Sequence, residues 1–288
     1  MKVRPAYVIF IFLLIAAVFE LYYTRLPVTF ERTAGVMGTT VRVKVTGPGA
    51  PQETARAIDE IKRLDRLLSK FNPDGEIGLI NRLAGRAPLE VSADTFDVLK
   101  LAVKVDRLSH GAFDITLGQP AGLILDQANR KVKIDNRKLK IDLGGIGKGY
   151  AVEAARRLLL KQGVKSAIID MHSSMAVIGN GWRIGVRDPR RRENVLEVIT
   201  LNDGESLSTS AQYEQPGHLI DPRTGQPADK CLSVTVVGKD ADLADALSTA
   251  IFVLGPSEGM RLAKSAGVRA IIVDKNGIIH DNFGLKLR

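Results

Sequence analysis

Hydrophobic positions recur along most of this chain at spacings that fix the type of element. Thr39 to Val45 (Thr-Thr-Val-Arg-Val-Lys-Val) alternates and reads as a strand. From Pro51 to Phe71 the apolar residues Ala55, Ile58, Ile61, Leu64, Leu67 and Leu68 form a helical stripe, with proline at its start. A second helix is predicted over Ala93 to Leu108, ended by Ser109-His110-Gly111, and a third over Gly149 to Gln162, closed by Gly163. Short strands are predicted at Ala167–Asp170, Trp182–Val186, Val195–Leu201 and Ser233–Val237. Asp242 to Leu254 is a fourth helix, stopped by Gly255-Pro256, and Val268–Val273 is a strand paired with Ile278-Ile279. Helices separated by groups of antiparallel-looking strands make the fold class α+β, a single domain with mixed or antiparallel sheets and packed helices.

The N-terminus follows another pattern. Ala6 to Phe19 is unbroken apolar, preceded by Lys2 and Arg4, with no small-x-small cleavage site after it. Counted to Tyr23 the stretch has 18 residues, enough to span a bilayer as a signal-anchor helix, with the basic end cytoplasmic. The expected organisation is therefore an anchor over residues 1–27 and a domain over 28–288, held at the bacterial inner membrane and facing the periplasm. The alternatives are removal of the leader as a cleaved signal and, last, a buried core helix.

Composition adds constraints. The chain has 288 residues and a net charge of +9. Its one cysteine, Cys231, excludes an internal disulfide and a cysteine-based metal site. The basic excess is local: Asn129 to Lys165 carries 11 Lys/Arg against Asp135, Asp142 and Glu153. Alternation around Asp135-Asn136 reads as a hairpin with a solvated basic face. No recognition-helix pattern or interleaved aromatics accompany it, so nucleic acid is not the expected partner.

Three segments carry candidate chemistry. The run Asp142-Leu143-Gly144-Gly145-Ile146-Gly147-Lys148-Gly149 fits neither the P-loop nor the Gly-x-Gly-x-x-Gly template. It lies between a predicted strand, Lys138–Ile141, and the third helix. Its backbone amides and Lys148 can face a phosphate, or it can be a tight turn with a surface lysine. In Ala244-Asp245-Ala246-Leu247-Ser248-Thr249, Asp245 and Thr249 share a helix face with Ser248 adjacent. A carboxylate and hydroxyls on apolar ground suit a hard cation such as Mg²⁺; the alternative is an acid aiding the helix dipole. In the third segment, His218-Leu219-Ile220-Asp221-Pro222-Arg223-Thr224-Gly225, a turn follows a short strand, and His218 is a candidate general base.

Together with Met37-Gly38-Thr39, Leu68-Ser69-Lys70-Phe71, Asn81 and Ala112-Phe113-Asp114-Ile115-Thr116, these segments resemble, in order, the ApbE family of FAD:protein FMN transferases. The resemblance implies an ApbE-type fold that binds FAD with Mg²⁺ on its pyrophosphate. A Thr or Ser hydroxyl of a redox-complex subunit then takes FMN, and AMP leaves. It implies Asp245, Ser248, Thr249 and the Gly145 carbonyl as metal ligands. Met37, Phe71, Ala112, Phe113, Asp114, Asp142, Lys148 and Leu219 would line the FAD site. His218 would assist removal of the acceptor proton, and Lys148 would offset charge on the transferring phosphorus. The chain departs from the family pattern in three places. Met171-His172-Ser173-Ser174-Met175 replaces a Gly-Gly-Asp/Asn turn, Ala211-Gln212 replaces Gly-Asp, and Gly75 replaces a serine before Glu76. Two other activities share these features: FAD hydrolysis to FMN and AMP, and flavin binding without catalysis.

Overall fold

The computed structural model describes residues 14–15, 28–118, 122–191, 193–212 and 219–284. Six helices of eight or more residues and fifteen strands are found among them. The helices are α1 (Ala50–Leu68), α2 (Glu76–Leu83), α3 (Ala93–Leu108), α4 (Gly147–Lys161), α5 (Ala241–Leu254) and α6 (Pro256–Ser265). The main sheet contains β1 (Val28–Val36), β2 (Thr39–Gly47), β6 (Ser166–Asp170), β7 (Ser174–Ile178), β10 (Ser206–Ala211), β13 (Cys231–Gly238), β14 (Arg269–Asp274) and β15 (Ile279–Asp281), in that spatial order. Each neighbouring pair in it is antiparallel. Three smaller sheets complete the architecture: β3 (Leu89–Glu90), β5 (Lys131–Ile134) and β4 (Leu123–Asp126); β8 (Trp182–Arg187) with β9 (Val195–Leu201); and β11 (Ile220–Asp221) with β12 (Gln226–Pro227).

The alternation in β2 buries Val41, Val43 and Val45 on one face, and these pack with the apolar stripe of α1 in the larger of two cores. Helices α4 and α5 join that core through Val152, Leu159, Leu247 and Ile251. The opposite face of the main sheet is covered by the β8–β9 hairpin, where Val186, Ile199 and Leu201 meet Ile168, Val177 and Ile271. The sheet is therefore buried on both sides at its centre, which is why β7 is buried at all five positions. Two-residue turns complete the order locally. Met37 (φ 50°) and Gly38 (φ 70°) join β1 to β2 with the left-handed pair that a tight hairpin requires.

The basic segment differs from its sequence reading. No hairpin folds about Asp135-Asn136, and no strand covers Lys138–Ile141. Instead β5 pairs with β4 on one side and β3 on the other. The reversal falls earlier, at Gln127–Arg130, where Asp126 Oδ1 accepts from Ala128 N (3.0 Å) and Asn129 N (3.2 Å) and Arg130 takes φ 48°. The Asp135-Asn136 pair has no glycine for a two-residue turn, and Asn136 accepts from Lys138 N (3.0 Å) through its side chain to bend the chain. Ile141 is extended, but its partner is a side chain: Asn81 donates to Ile141 O at 3.0 Å and accepts from Ile141 N at 2.7 Å. Of the predicted leader only Leu14 and Ile15 are described, as helical and exposed; the rest of residues 1–27 lies outside the described residues. No helix among the described residues is long and apolar enough to cross a membrane.

One buried charge on α5 sets a pH dependence. Asp242 is 6% exposed; it faces Glu153 and Asp240 as well as Arg157, whose guanidinium is 3.9 Å away. Burial pushes its carboxyl up to about 6, from an ordinary 3.8. The folded-state pKa lies above the unfolded one, so the native state binds the extra proton between those values. Ionising Asp242 therefore costs stability as pH rises through 6, and the cost disappears as pH falls towards 4. Asp242→Asn keeps the acceptor for Leu243 N (2.8 Å) and removes the charge. It is expected to stabilise the protein by about 1–3 kcal/mol at pH 8 and by little at pH 4, read from urea melts at the two pH values.

Candidate active site

Helix α4 starts at Gly147, two residues earlier than its sequence pattern suggests, directly out of the glycine-rich run. Five amides of that run are already used, the first by Asp142 N, which donates to Ile115 O at 2.8 Å. Gly144 N donates to Asp142 Oδ1 (2.9 Å), Ile146 N and Gly147 N to Leu143 O (3.1 and 2.7 Å), and Gly149 N to Asp245 Oδ2 (2.8 Å). Among the described residues the amides of Leu143, Gly145 and Lys148 have no acceptor, and the Lys148 ammonium has no carboxylate partner. The loop thus leaves three amides, the start of a helix and one lysine for an anion.

Gly149 brings α5 against this loop. A Cβ there would stand 2.4 Å from Ala241 O and 2.5 Å from Asp245 Cβ, so the two helices cross at a distance that only glycine permits. Asp245 is 4% exposed, and its carboxylate is fixed on both sides: by Gly149 N, and by Ser208 Oγ at 2.9 Å. The helix-dipole role considered from sequence is real, but the dipole Asp245 caps is that of α4. One turn further along α5, Ser248 and Thr249 meet Ser210 Oγ at 2.8 and 3.1 Å. A Cβ on Gly145 would lie 3.2 Å from Thr249 Oγ1 and 3.1 Å from Phe113 Cε2. Asp245, Ser248, Thr249 and Gly145, singled out from distant parts of the sequence, therefore converge at the α4–α5 seam. Their donors are all oxygen, with one buried carboxylate, which fits a hard divalent cation.

The other expected site residues fall into two groups. Those around the loop are connected to it. Asp142 accepts from Lys70 Nζ at 2.6 Å, and Lys70 lies 5.0 Å from the Phe71 ring centre; Phe71 itself is 84% exposed. Phe113 is buried against Gly145, and Ala112 is buried beside it in the chain. Those in the second group shape backbone. Asp114, 8% exposed, accepts from Thr116 N (2.8 Å) and Gly118 N (2.7 Å), closing the loop that runs to Gly118. That loop docks on the turn after β11, since a Cβ on Gly118 would be 2.5 Å from Pro222 O. In the same turn Arg223 grips Asp221 through two bonds (2.8 and 2.7 Å) and holds its carboxyl below the usual range. Met37 N donates to Asp65 Oδ2 at 2.9 Å, and Leu219 packs on the main core. His218 lies outside the described residues.

The departures from the family pattern are accommodated. His172 occupies a left-handed position (φ 63°), and it is held there by Asp170 Oδ1 on its amide (2.8 Å) and Thr40 Oγ1 on its Nε2 (2.7 Å). Ala211 closes β10 with no left-handed backbone, and Gln212 Nε2 donates to Ala228 O. Gly75 leaves no room for a side chain, because a Cβ would be 2.4 Å from Arg66 O. Sequence reasoning did not include Ser208 and Ser210 in the site. The signal was present in Ser206-Leu207-Ser208-Thr209-Ser210, whose alternate serines share one face of a strand.

The model of the family described as ApbE matches residues 37–272. An FAD:protein FMN transferase of Klebsiella pneumoniae (strain 342) is 30% identical, over 84% of this chain and 83% of its own length. Another, of Escherichia coli (strain K12), is 26% identical over 84% and 83%. Among solved structures, the ApbE protein of Thermotoga maritima superposes with a TM-score of 0.83 at 28% identity, covering 90% of this chain and 99% of that one. The apo form of the flavinyl transferase ApbE of Pseudomonas stutzeri gives 0.79 at 25% identity, over 89% and 95%. With the glycine loop, the acidic helix and the turn after β11 brought together as the motif order implied, this chain belongs to the ApbE family.

Proposed function

We propose that the protein is an FAD:protein FMN transferase that moves FMN from FAD to a Thr or Ser hydroxyl of a redox protein and releases AMP. The observation that carries the reading is the seam itself, where Gly149 N reaches Asp245 Oδ2 at 2.8 Å and Gly145 abuts Thr249. An acidic cation site and a loop with unused amides thus stand side by side. In the proposed reaction a bond forms between the acceptor oxygen and the FMN-side phosphorus, and the bond to the AMP oxygen breaks. His218, by its family resemblance, takes the acceptor proton. Lys148 and the amides of Gly145 and Lys148 balance charge on the phosphates, and Phe71 and Met37 lie towards the flavin nucleotide. Asp245, Ser248, Thr249 and the Gly145 carbonyl would hold Mg²⁺, which supplies charge neutralisation on the pyrophosphate. The apolar leader tethers the domain to the inner membrane with the site on the periplasmic side.

Incubation with FAD, Mg²⁺ and a Thr- or Ser-containing acceptor subunit tests this reading. A flavin-fluorescent acceptor band that survives denaturation, with stoichiometric AMP, is the expected result. AMP without labelled acceptor would indicate hydrolysis, and bound FAD with neither product would indicate a binding protein.

A further inference from the structure

The strand β10 carries three buried serines on one face, Ser206, Ser208 and Ser210, turned to α5 and its flank. Two residues of a strand advance about 6.8 Å and four residues of a helix about 6 Å. Alternate β10 side chains therefore keep step with one turn of α5, so that Ser208 meets Asp245 and Ser210 meets Ser248 and Thr249. Ser208 is wholly buried, and its hydroxyl has three oxygen neighbours. They are Asp245 Oδ1 at 2.9 Å, Ser173 O at 3.0 Å and Ser174 Oγ at 3.0 Å.

A serine hydroxyl has one hydrogen to give and lone pairs to receive with. Only Ser174 among these neighbours has a proton to offer, so it donates into Ser208. The Ser208 hydrogen then goes to the ionised oxygen of Asp245 in preference to the neutral Ser173 carbonyl, because charge-assisted bonds are the stronger ones. The other carboxylate oxygen is held by Gly149 N. Both oxygens are thereby pinned in the plane, each with a lone pair left for a cation.

We propose that Ser208, backed by Ser174, is a positioning residue that sets the Asp245 carboxylate for the divalent cation. This rests on the assignment of Asp245 as a cation ligand made above. It also gives the altered turn after β6 a role: that turn leads into Ser174, whose hydroxyl donates into Ser208 and holds it in place.

The test uses the full chain and Mn²⁺ as the probe, with free Mn²⁺ followed by its paramagnetic resonance signal. Ser208→Ala is expected to weaken Mn²⁺ binding about 10- to 100-fold. Its metal-free melting temperature should fall by only several degrees, so that the protein stays folded in the assay, and Ser208→Thr should restore most of the affinity. Transfer at saturating metal should remain within a few-fold, so that the loss appears in the half-saturating metal concentration. In an Asp245→Ala background, Ser208→Ala should add nothing. Unchanged Mn²⁺ affinity in Ser208→Ala, with affinity lost in Asp245→Ala, overturns the positioning role and leaves the cation site standing. An equal further loss in both backgrounds also overturns it, since Ser208 would then act other than through Asp245. Wild-type Mn²⁺ affinity in Asp245→Ala would overturn the cation assignment and the positioning role with it.

Discussion

Asp245→Ala is expected to reduce Mg²⁺-dependent flavin transfer by more than about a hundredfold, the largest effect of any single substitution in the site. The reason is that Asp245 has the one carboxylate in the oxygen donor set, and both its oxygens are already aligned by Gly149 N and Ser208 Oγ. Its removal also leaves the Gly149 amide without an acceptor at a buried helix start, which costs stability by about 1–3 kcal/mol. Asp245→Asn separates the two contributions. The amide oxygen can still accept from Gly149, so folding should be close to normal while the charge for the cation is gone. Transfer should fall nearly as far in Asn as in Ala, with the melting temperature lowered mainly in Ala. Undiminished transfer in either variant would sink the assignment of Asp245 to the cation.

Gly149→Ala is the second. Alanine is ordinarily the better helix former by about 1 kcal/mol. Here the added methyl would meet the Ala241 carbonyl at 2.4 Å and Asp245 Cβ at 2.5 Å, and neither is the free end of a flexible side chain. Relief requires α4 and α5 to separate, so a net loss of about 1–3 kcal/mol is expected by denaturant titration. Transfer should fall as well, since the displaced atom is the root of the Asp245 side chain. Gly35→Ala is the control: nothing lies within 4 Å of its would-be Cβ, and stability should change by less than about 0.5 kcal/mol. A stable, active Gly149→Ala protein would show that the seam is not as tight as its geometry implies.

The elements that were legible in the sequence are those whose reason is local. Helix α3 begins and ends where its pattern says, because Ser92 caps Thr95 N and Ser109-His110-Gly111 stops it. The elements that were not legible depend on partners far away in the chain. Strand β10 is polar on its buried face, and its hydroxyls are satisfied by distant partners: Gly238 O for Ser206, Asp245 and Ser174 for Ser208, and Ser248 and Thr249 for Ser210. Helix α6 was hidden by its own start signal. Gly255-Pro256 reads as a stop, yet Gly255 at φ 83° ends α5 while Pro256 opens the next helix without a break. The basic alternation misled for the converse reason. Its period is that of a strand, but β5 pairing ends at Val132 on the β3 side and at Ile134 on the β4 side, and Asn81 takes over the backbone of Ile141. The proposed cation ligands Asp245 and Thr249 could be grouped from sequence because a helix fixes them on one face, whereas Lys70 on Asp142 needed the folded chain.

The bond from Gly149 to Asp245 spans 96 residues of sequence. Three of the proposed cation ligands lie on α5 and the fourth at Gly145, so the complete set would exist only in the folded chain. By linkage, any ion held at the seam then adds its binding free energy to the folding of the whole domain. Divalent cation at a hundred times its dissociation constant would contribute about 2.7 kcal/mol of resistance to unfolding. Magnesium at the proposed site would thus govern lifetime as well as turnover.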